Sequence, residues 1–195
     1  MAMGRPRAFD MDKALDQALH VFWEKGYEGA SICDLTEAMG INPPSLYAAF
    51  GNKEALFKKA LDRYETVRDQ IMEEAFAVPT AREAMRRLLE GTAERLSDKR
   101  NPSGCLLVQG ALAGSGECEA VKRHLALRRA AGEVLIRERL KRAKREGDLP
   151  DDADPAALAR FVATVMQGMA VQAAGGASSK ELRQIVDTAL RALPA

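Results

Sequence analysis

Apolar residues recur at helical spacing along this chain, and the strict alternation that indicates β-strands is absent. In the first third of the chain, capping residues and glycines divide this pattern into short segments. Ser31 caps a helix that Gly40 ends, and Asn42 caps a second helix over residues 43–50. Asn52 caps a long helix that follows. The pattern therefore predicts two short helices joined by a sharp turn, with a long helix after them.

The ends of these helices follow from local chemistry. Asp34 lies three residues after Ser31, which predicts a capping box. Gly26 is predicted to close the preceding helix in the left-handed conformation. Pro43 and Pro44 occupy the first helical positions of the second short helix, where a missing amide proton has no cost.

The second short helix has one apolar face. Leu46 and Phe50 lie four positions apart and are predicted to face the core, which leaves Ser45, Tyr47 and Ala48 pointing outward. A helix that exposes hydroxyl groups and small side chains can lie close to the floor of a DNA groove. The alternative is a tight helical corner in an ordinary α-domain.

The rest of the chain also divides into helices. Predicted capping boxes at Thr80 with Glu83 and at Ser178 with Glu181 begin two of them. Others are predicted at 105–113, 117–145 and 155–173. Eight of the ten aromatic residues lie in the first 64 positions, which predicts a small aromatic core there and an adaptable aliphatic core beyond. The chain is thus predicted to be all-α, with about nine helices.

Four motifs in the first part of the chain resemble the DNA-binding domain of the TetR family of bacterial regulators. They are G-Y-E-G-A-S at 26–31, L-x-x-A-M-G-I at 35–41, P-S-L-Y-x-x-F at 44–50 and N-K-E-A-L-F at 52–57. The resemblance implies an N-terminal three-helix DNA-binding domain at residues 1–52 with a linking helix at 53–77. It also implies a larger C-terminal helical domain at 78–195 that binds an effector and dimerises.

The resemblance implies that residues 31–50 form the helix-turn-helix and face double-stranded operator DNA. The hydroxyl groups of Ser45 and Tyr47 and the ammonium of Lys53 can bind phosphates. The methyl group of Ala48 can contact a thymine methyl. An arginine arm before the first helix is predicted to enter the minor groove, the alternative being a solvated terminus. The predicted DNA contacts are Arg5, Arg7, Ser31, Pro43, Pro44, Ser45, Tyr47, Ala48 and Lys53.

Charge gives this interpretation no support by itself. Residues 1–64 contain eight Lys and Arg against nine Asp and Glu. A two-fold dimer would double the few basic contacts that one copy offers. The chain is therefore predicted to act as a homodimer, and the dimer interface is placed on the last two helices. Their apolar stripes include Phe161, Val165, Ile185 and Ala189.

The second domain is predicted to hold an apolar pocket for an unknown small molecule, with one polar group in its wall. The alternative is an ordinary helical core. The predicted pocket residues are Met72, Phe76, Met85, Leu89, Cys105, Leu106, Gln109, Phe161, Val165 and Met169. Filling the pocket is predicted to release the repressor from its operator.

Cys105 offers a different hypothesis, a thiol-based sensor of oxidants or electrophiles. It follows N-P-S-G at a predicted helix N-terminus, an environment that favours thiolates. The favoured interpretation is a small buried hydrophobe. Three widely spaced cysteines predict neither a disulfide framework nor a zinc site.

Other functions fit the sequence less well. Ten Lys and Arg lie within residues 122–145, which is typical of a solvated helix face and leaves a second nucleic-acid surface as the alternative. His20 and His124 lack metal-ligand or catalytic spacing, and no phosphate-binding loop is present. The chain is predicted not to be an enzyme and to need no cofactor or metal. With no long apolar run and no secretory signal, it is predicted to be cytoplasmic, without membrane contact.

Overall fold

The structure, a computed structural model, describes residues 9–112 and 119–194. Across those two ranges the chain forms helices and no strand, which confirms the all-α prediction. The helices are α1 (Met11–Gly29), α2 (Ile32–Met39), α3 (Pro43–Phe50), α4 (Lys53–Phe76), α5 (Ala81–Leu96), α6 (Leu106–Leu112), α7 (Glu119–Arg145), α8 (Pro155–Ala174) and α9 (Ser179–Ala192).

The predicted caps around the short helices are formed. Ser31 Oγ accepts a hydrogen bond from the Asp34 amide at 3.0 Å, and the Asp34 carboxylate accepts one from the Ser31 amide at 2.9 Å. Asn42 Oδ1 accepts from the Ser45 amide at 2.9 Å and caps α3 in the same way. Gly40 ends α2 with φ of 64°, a conformation that an L-residue with a side chain rarely adopts. These bonds fix the sharp turn between α2 and α3.

One of two predicted helix ends is formed, and the other is wrong in detail. Gly26 has non-helical angles, φ of 71° and ψ of 176°, so the regular helix that begins at Met11 ends there in a kink, and a short helical segment follows to Gly29. Thr80 caps α5 by accepting from the Glu83 amide, but the reciprocal half of the predicted box is not formed. The carboxylate of Glu83 pairs with Arg86 and Arg87 on the next turn of α5 instead.

An aromatic core holds α1, α2, α3 and α4 together. The rings of Phe22 and Phe57 meet edge to face at 5.0 Å, and those of Trp23 and Tyr64 at 4.7 Å. Such pairs add about 0.5–1.5 kcal/mol to the free energy gained by burying the rings. The same cluster includes the following residues from α6 and α7: Leu106, Leu107, Val121 and Leu125. The first domain is thus packed directly against the second.

The larger aliphatic core lies between α5, α7, α8, α9 and the end of α4. The close approach of α4 to α5 depends on Gly91, where an added Cβ would lie 2.9 Å from Cγ2 of Ile71. Only a residue without a side chain lets the two helices pack at this distance.

A charged cluster fixes the middle of α4 against α7. Arg128 on α7 pairs with Glu65 at 2.7 Å and with Asp62 at 2.5 Å, both on α4. The side chain of Glu65 is only 4% exposed and is also paired with Arg68. Removing one partner of a buried ion pair leaves an uncompensated charge. The cluster therefore sets the position of α4, the helix that connects the two domains.

Candidate functional site

The corner formed by α2 and α3 presents a mixed polar and apolar surface. Leu46 and Phe50 are 0% and 4% exposed and hold α3 on the aromatic core. Tyr47 is 47% exposed on the opposite side of α3. Ala48 is exposed beside it, and Ser45 is half-buried. The structure thus turns the predicted outward face of α3 to solvent.

Pro43 and Pro44 are exposed at the N-terminus of α3. They occupy N1 and N2, so the missing amide protons of the two prolines leave no backbone donor unpaired there. The amide of Ser45, the third helical residue, is bonded to Asn42 Oδ1, so none of the first three positions of α3 offers a free N–H to a phosphate. This end of α3 is open to solvent.

Ser31 and Lys25 form a small network around Asp34. Ser31 Oγ donates to the Asp34 carboxylate at 2.7 Å, and Lys25 Nζ pairs with the same group at 2.6 Å. The hydrogen bond from Lys25, aided by those from Ser31, holds the pKa of Asp34 well below its ordinary range. Because the Ser31 hydroxyl proton is already donated, contact of that proton with a phosphate requires breaking the bond to Asp34.

Lys53 lies at the start of α4, next to α3. Its ammonium lies 4.7 Å from the centre of the Tyr27 ring and 3.4 Å from the carbonyl oxygen of Glu28. These contacts hold the cation beside the corner. Sequence analysis identified Lys53 but not Lys25 or Tyr27, whose contacts depend on residues distant along the chain. Arg5 and Arg7 of the predicted arm lie outside the described residues.

A cavity of about 90 Å³, here called the central cavity, lies where α4, α5, α7 and α8 meet the segment at α6. Of the ten predicted pocket residues, Met72 and Cys105 line it. Its other lining residues are Arg68, Ile71, Leu88, Thr92, Arg95, Leu96, Leu107, Val108, Arg129, Gly132, Glu133, Ile136, Ala163, Met166, Gln167 and Ala170.

The structure does not bring the other eight predicted residues to this cavity. Met85, Leu89 and Met169 are buried in the aliphatic core, against which Phe76 also packs. Leu106 belongs to the aromatic core. The remaining three lie elsewhere: Gln109 against Gly104, and Phe161 with Val165 on the outer groove between α8 and α9.

The polar residues of the cavity wall were missed by the sequence analysis. Arg95 and Thr92 lie three positions apart on α5, beside its apolar stripe, and Gln167 interrupts the apolar face of α8. Polar residues beside an apolar stripe are the one signal that the sequence offered. It is weak, since such positions are more often simply the solvent boundary of a helix.

A contact between the two domains lies directly beside the cavity. The Arg95 guanidinium lies 4.2 Å from the centre of the Tyr64 ring and 5.5 Å from that of Trp23. Trp23 Nε1 donates to the Gly104 carbonyl at 3.3 Å, and the Leu106 amide donates to Tyr64 Oη at 3.3 Å. Burial, with a further effect from Cys105, raises the pKa of Tyr64 well above its ordinary value. The cavity wall therefore contacts the aromatic core of the first domain.

An apolar groove runs along the outside of α8 and α9. Phe161 is 38% exposed on α8, and Val165 and Ile185 are half-buried around it.

Across the described part of the chain, no helix is long and apolar enough to cross a membrane. Within the same residues no group of three or more His, Cys, Asp or Glu is placed to hold a metal.

Comparison with known proteins covers both domains. Residues 14–60 match the family described as bacterial regulatory proteins, tetR family, and residues 81–190 match the tetracyclin repressor-like C-terminal domain. The HTH-type transcriptional repressor ComR of Escherichia coli (strain K12) is 36% identical, over 98% of this chain and 92% of ComR. The HTH-type transcriptional repressor BdcR of the same strain is 30% identical, over 92% of this chain and 86% of BdcR.

A solved structure is similar over nearly the whole length. The TetR family transcriptional regulator CifR, a cysteine mutant complexed with 26 bp double-strand operator DNA, is 47% identical with a TM-score of 0.94. The match covers 97% of this chain and 100% of the CifR chain.

Proposed function

Because this chain belongs to the TetR family of bacterial regulatory proteins, we propose that it is a homodimeric repressor that a small effector releases from its operator. The observation that carries the proposal is the exposed face of α3, with Tyr47 47% exposed on a helix whose other side is anchored by Leu46. Similarity at a TM-score of 0.94 to a regulator solved with operator DNA supports the same surface.

DNA contact is assigned to the corner of α2 and α3. Tyr47 and Ser45 offer hydroxyl groups, and Lys53 and Lys25 offer cations beside them. Ala48 and the two prolines add small apolar contacts. Since hydroxyl and ammonium groups mostly bind phosphates, much of the affinity comes from the DNA backbone, and groove shape adds to the specificity.

Dimerisation is assigned to the groove between α8 and α9. Phe161, Val165 and Ile185 leave an apolar surface there that a second copy of the same two helices would bury as a four-helix bundle. A two-fold dimer presents two copies of α3 to two half-sites, one helical turn of DNA apart. Each copy then contributes its few cations to one site.

Release is assigned to the central cavity. An effector that binds the wide-cavity state more tightly than the narrow-cavity state shifts the protein toward the wide-cavity state. The size of the shift is limited by the ratio of the effector's affinities for the two states. The cavity is lined by α4, and α4 also carries the aromatic core that supports α3. Movement of α4 would therefore change the spacing of the two α3 helices in a dimer.

A second candidate function is a thiol-based sensor, and the position of Cys105 favours it. Cys105 lines the central cavity and interacts with Tyr64. An adduct on its sulfur would occupy the same space as a reversible effector. Quinone or peroxide treatment of wild type and Cys105→Ser should then differ, with operator release only in the wild type. Equal release from both proteins excludes a role for the Cys105 thiol.

A gel-shift assay with DNA from upstream of the gene itself tests the DNA-binding proposal. Tyr47→Ala removes ring and hydroxyl, whereas Tyr47→Phe removes the hydroxyl alone and serves as the matched variant. We expect saturable, salt-sensitive binding by the wild type, weaker binding by Tyr47→Phe and the weakest by Tyr47→Ala. Binding that is the same for all three proteins shows that α3 does not contact DNA.

A further inference from the structure

The wall of the central cavity has more positively than negatively charged side chains. Four charged residues line it: Arg68, Arg95, Arg129 and Glu133. Glu133 is paired with Arg160 at 3.4 Å, and Arg68 with Glu65 at 2.5 Å. Within the described residues, neither Arg95 nor Arg129 has a carboxylate at ion-pair distance. The wall of a mostly apolar cavity thus carries two guanidinium groups that have no carboxylate partner among the described residues.

The present partners of these two groups are weak or neutral. Arg95 lies over the rings of Tyr64 and Trp23, and Arg129 Nη1 donates to the Leu107 carbonyl at 2.5 Å. A cation over an aromatic ring gains about 0.5–2 kcal/mol. Hydrogen bonds between a guanidinium and a carboxylate are charge-assisted and frequently bidentate, and they are roughly twice as strong as neutral ones. An anion inside the cavity would therefore compete well for both arginines.

We propose that the central cavity binds a small organic anion, an apolar body bearing one carboxylate, with the carboxylate held by Arg95 and Arg129. The proposal rests on the effector-responsive function above and names the chemical class of the effector. The volume of about 90 Å³ limits the apolar body. A cavity of about 150 Å³ accommodates benzene, so this one suits a short aliphatic chain unless its walls move apart.

Arg95 also lies on the boundary between this cavity and the exterior. An open groove of about 930 Å³ runs between α1, α4 and α5, and Arg95 and Ile71 line both the groove and the cavity. When Arg95 turns toward a bound carboxylate, it leaves the groove side and the two aromatic rings.

Loss of the contact between Arg95 and the rings of Trp23 and Tyr64 would change the packing of the first domain. Trp23 and Tyr64 are 8% and 2% exposed and belong to the core that supports α2 and α3. Arg95 therefore links an occupied cavity to the DNA-binding corner. Trp23 is the only tryptophan in the chain, so its emission reports on this contact.

The test compares carboxylates with their amides, which match them in size but carry no charge. Butyrate, isovalerate and hexanoate are titrated against butyramide, isovaleramide and hexanamide by calorimetry, while Trp23 emission is recorded. The variants are Arg95→Gln, Arg129→Gln and Arg95→Lys, which keeps the charge. Arg100→Gln is the control, since Arg100 lines only the outer groove, is 89% exposed and pairs with Asp98.

We expect at least one acid to bind wild type and Arg100→Gln tenfold or more tighter than its amide, with a change in Trp23 emission. Arg95→Gln and Arg129→Gln should lose that preference, and Arg95→Lys should keep part of it. Equal binding of acid and amide, or binding of neither, overturns the proposal. Acid binding without a change in Trp23 emission overturns the link through Arg95. Operator binding in the gel shift needs no effector, so failure of the DNA-binding function would be seen separately.

Discussion

The indole N–H of Trp23 on α1 donates a hydrogen bond to the carbonyl oxygen of Gly104, just before α6, across 3.3 Å. The bond is buried and joins the DNA-binding domain to the residue before Cys105, which lines the central cavity. Gly104 adopts φ of 85°, and an added Cβ would lie 2.8 Å from the Gln109 amide group. The carbonyl is therefore presented by a turn that glycine alone tolerates.

Trp23→Phe should destabilise the protein by about 1–3 kcal/mol, because it leaves the buried Gly104 carbonyl without its donor. The free energy of unfolding is measured by circular dichroism in urea, since the variant has no tryptophan emission. Tyr64→Phe is the companion variant, which removes the hydroxyl that accepts from the Leu106 amide. An unchanged midpoint in Trp23→Phe would show that the bond contributes nothing to stability.

Gly91→Ala should lower the stability by about 1–3 kcal/mol, because its methyl group would lie 2.9 Å from Ile71 and force α4 and α5 apart. Gly132→Ala is the matched control in α7, where nothing lies within 4 Å of the added methyl group. Alanine there should raise stability by about 0.5–1 kcal/mol through helix propensity. The midpoint of thermal unfolding is measured for both variants. An equal change of the midpoint in Gly91→Ala and Gly132→Ala would show that contact with Ile71 does not limit the residue at position 91.

The pH dependence of stability should reveal Asp34. Hydrogen bonds from Lys25 and Ser31 lower the pKa of Asp34 in the folded protein. The stabilisation is therefore fully present above its unfolded pKa of about 3.9 and is lost as the pH falls toward the lower folded value. The stability difference between wild type and Asp34→Asn should shrink between about pH 5 and pH 2. A difference independent of pH over that range would exclude a role for the charge.

Phe161→Glu should convert the proposed dimer to a monomer, because it places a charge in the apolar groove between α8 and α9. Leu127→Glu is the control: Leu127 is 68% exposed on α7, outside that groove. Sedimentation velocity measures the outcome. If both variants remain dimeric, or if both dissociate, the interface has been placed wrongly.

The fold could be predicted largely because helix caps act over three or four residues. Ser31, Asn42 and Ser178 each bond to an amide three positions away, and a sequence shows such pairs directly. Gly26 was predicted in the same way: it has the expected positive φ and interrupts the helix, although a short helical segment follows as far as Gly29. Local chemistry predicts where a helix can end, and packing decides whether it does.

The candidate site could be predicted only in part. Tyr47 and Lys53 belong to a continuous motif, so the sequence brought them together. Met85 and Leu89 lie at the same helical spacing as cavity residues would, yet they are fully buried in the core. Periodicity gives the inward face of a helix but cannot show where neighbouring helices fail to meet. Arg95 was missed because its partners, Trp23 and Tyr64, are distant along the chain.

Operator-specific binding can be measured by fluorescence anisotropy, with duplexes from the upstream region and a scrambled control. At a fixed salt concentration, we expect one upstream duplex to bind about 10³-fold tighter or more than the scrambled duplex. Affinity should fall as salt rises, and Tyr47→Ala should weaken specific binding. Equal affinity for the upstream and scrambled duplexes would contradict the assignment of this chain as an operator-specific regulator.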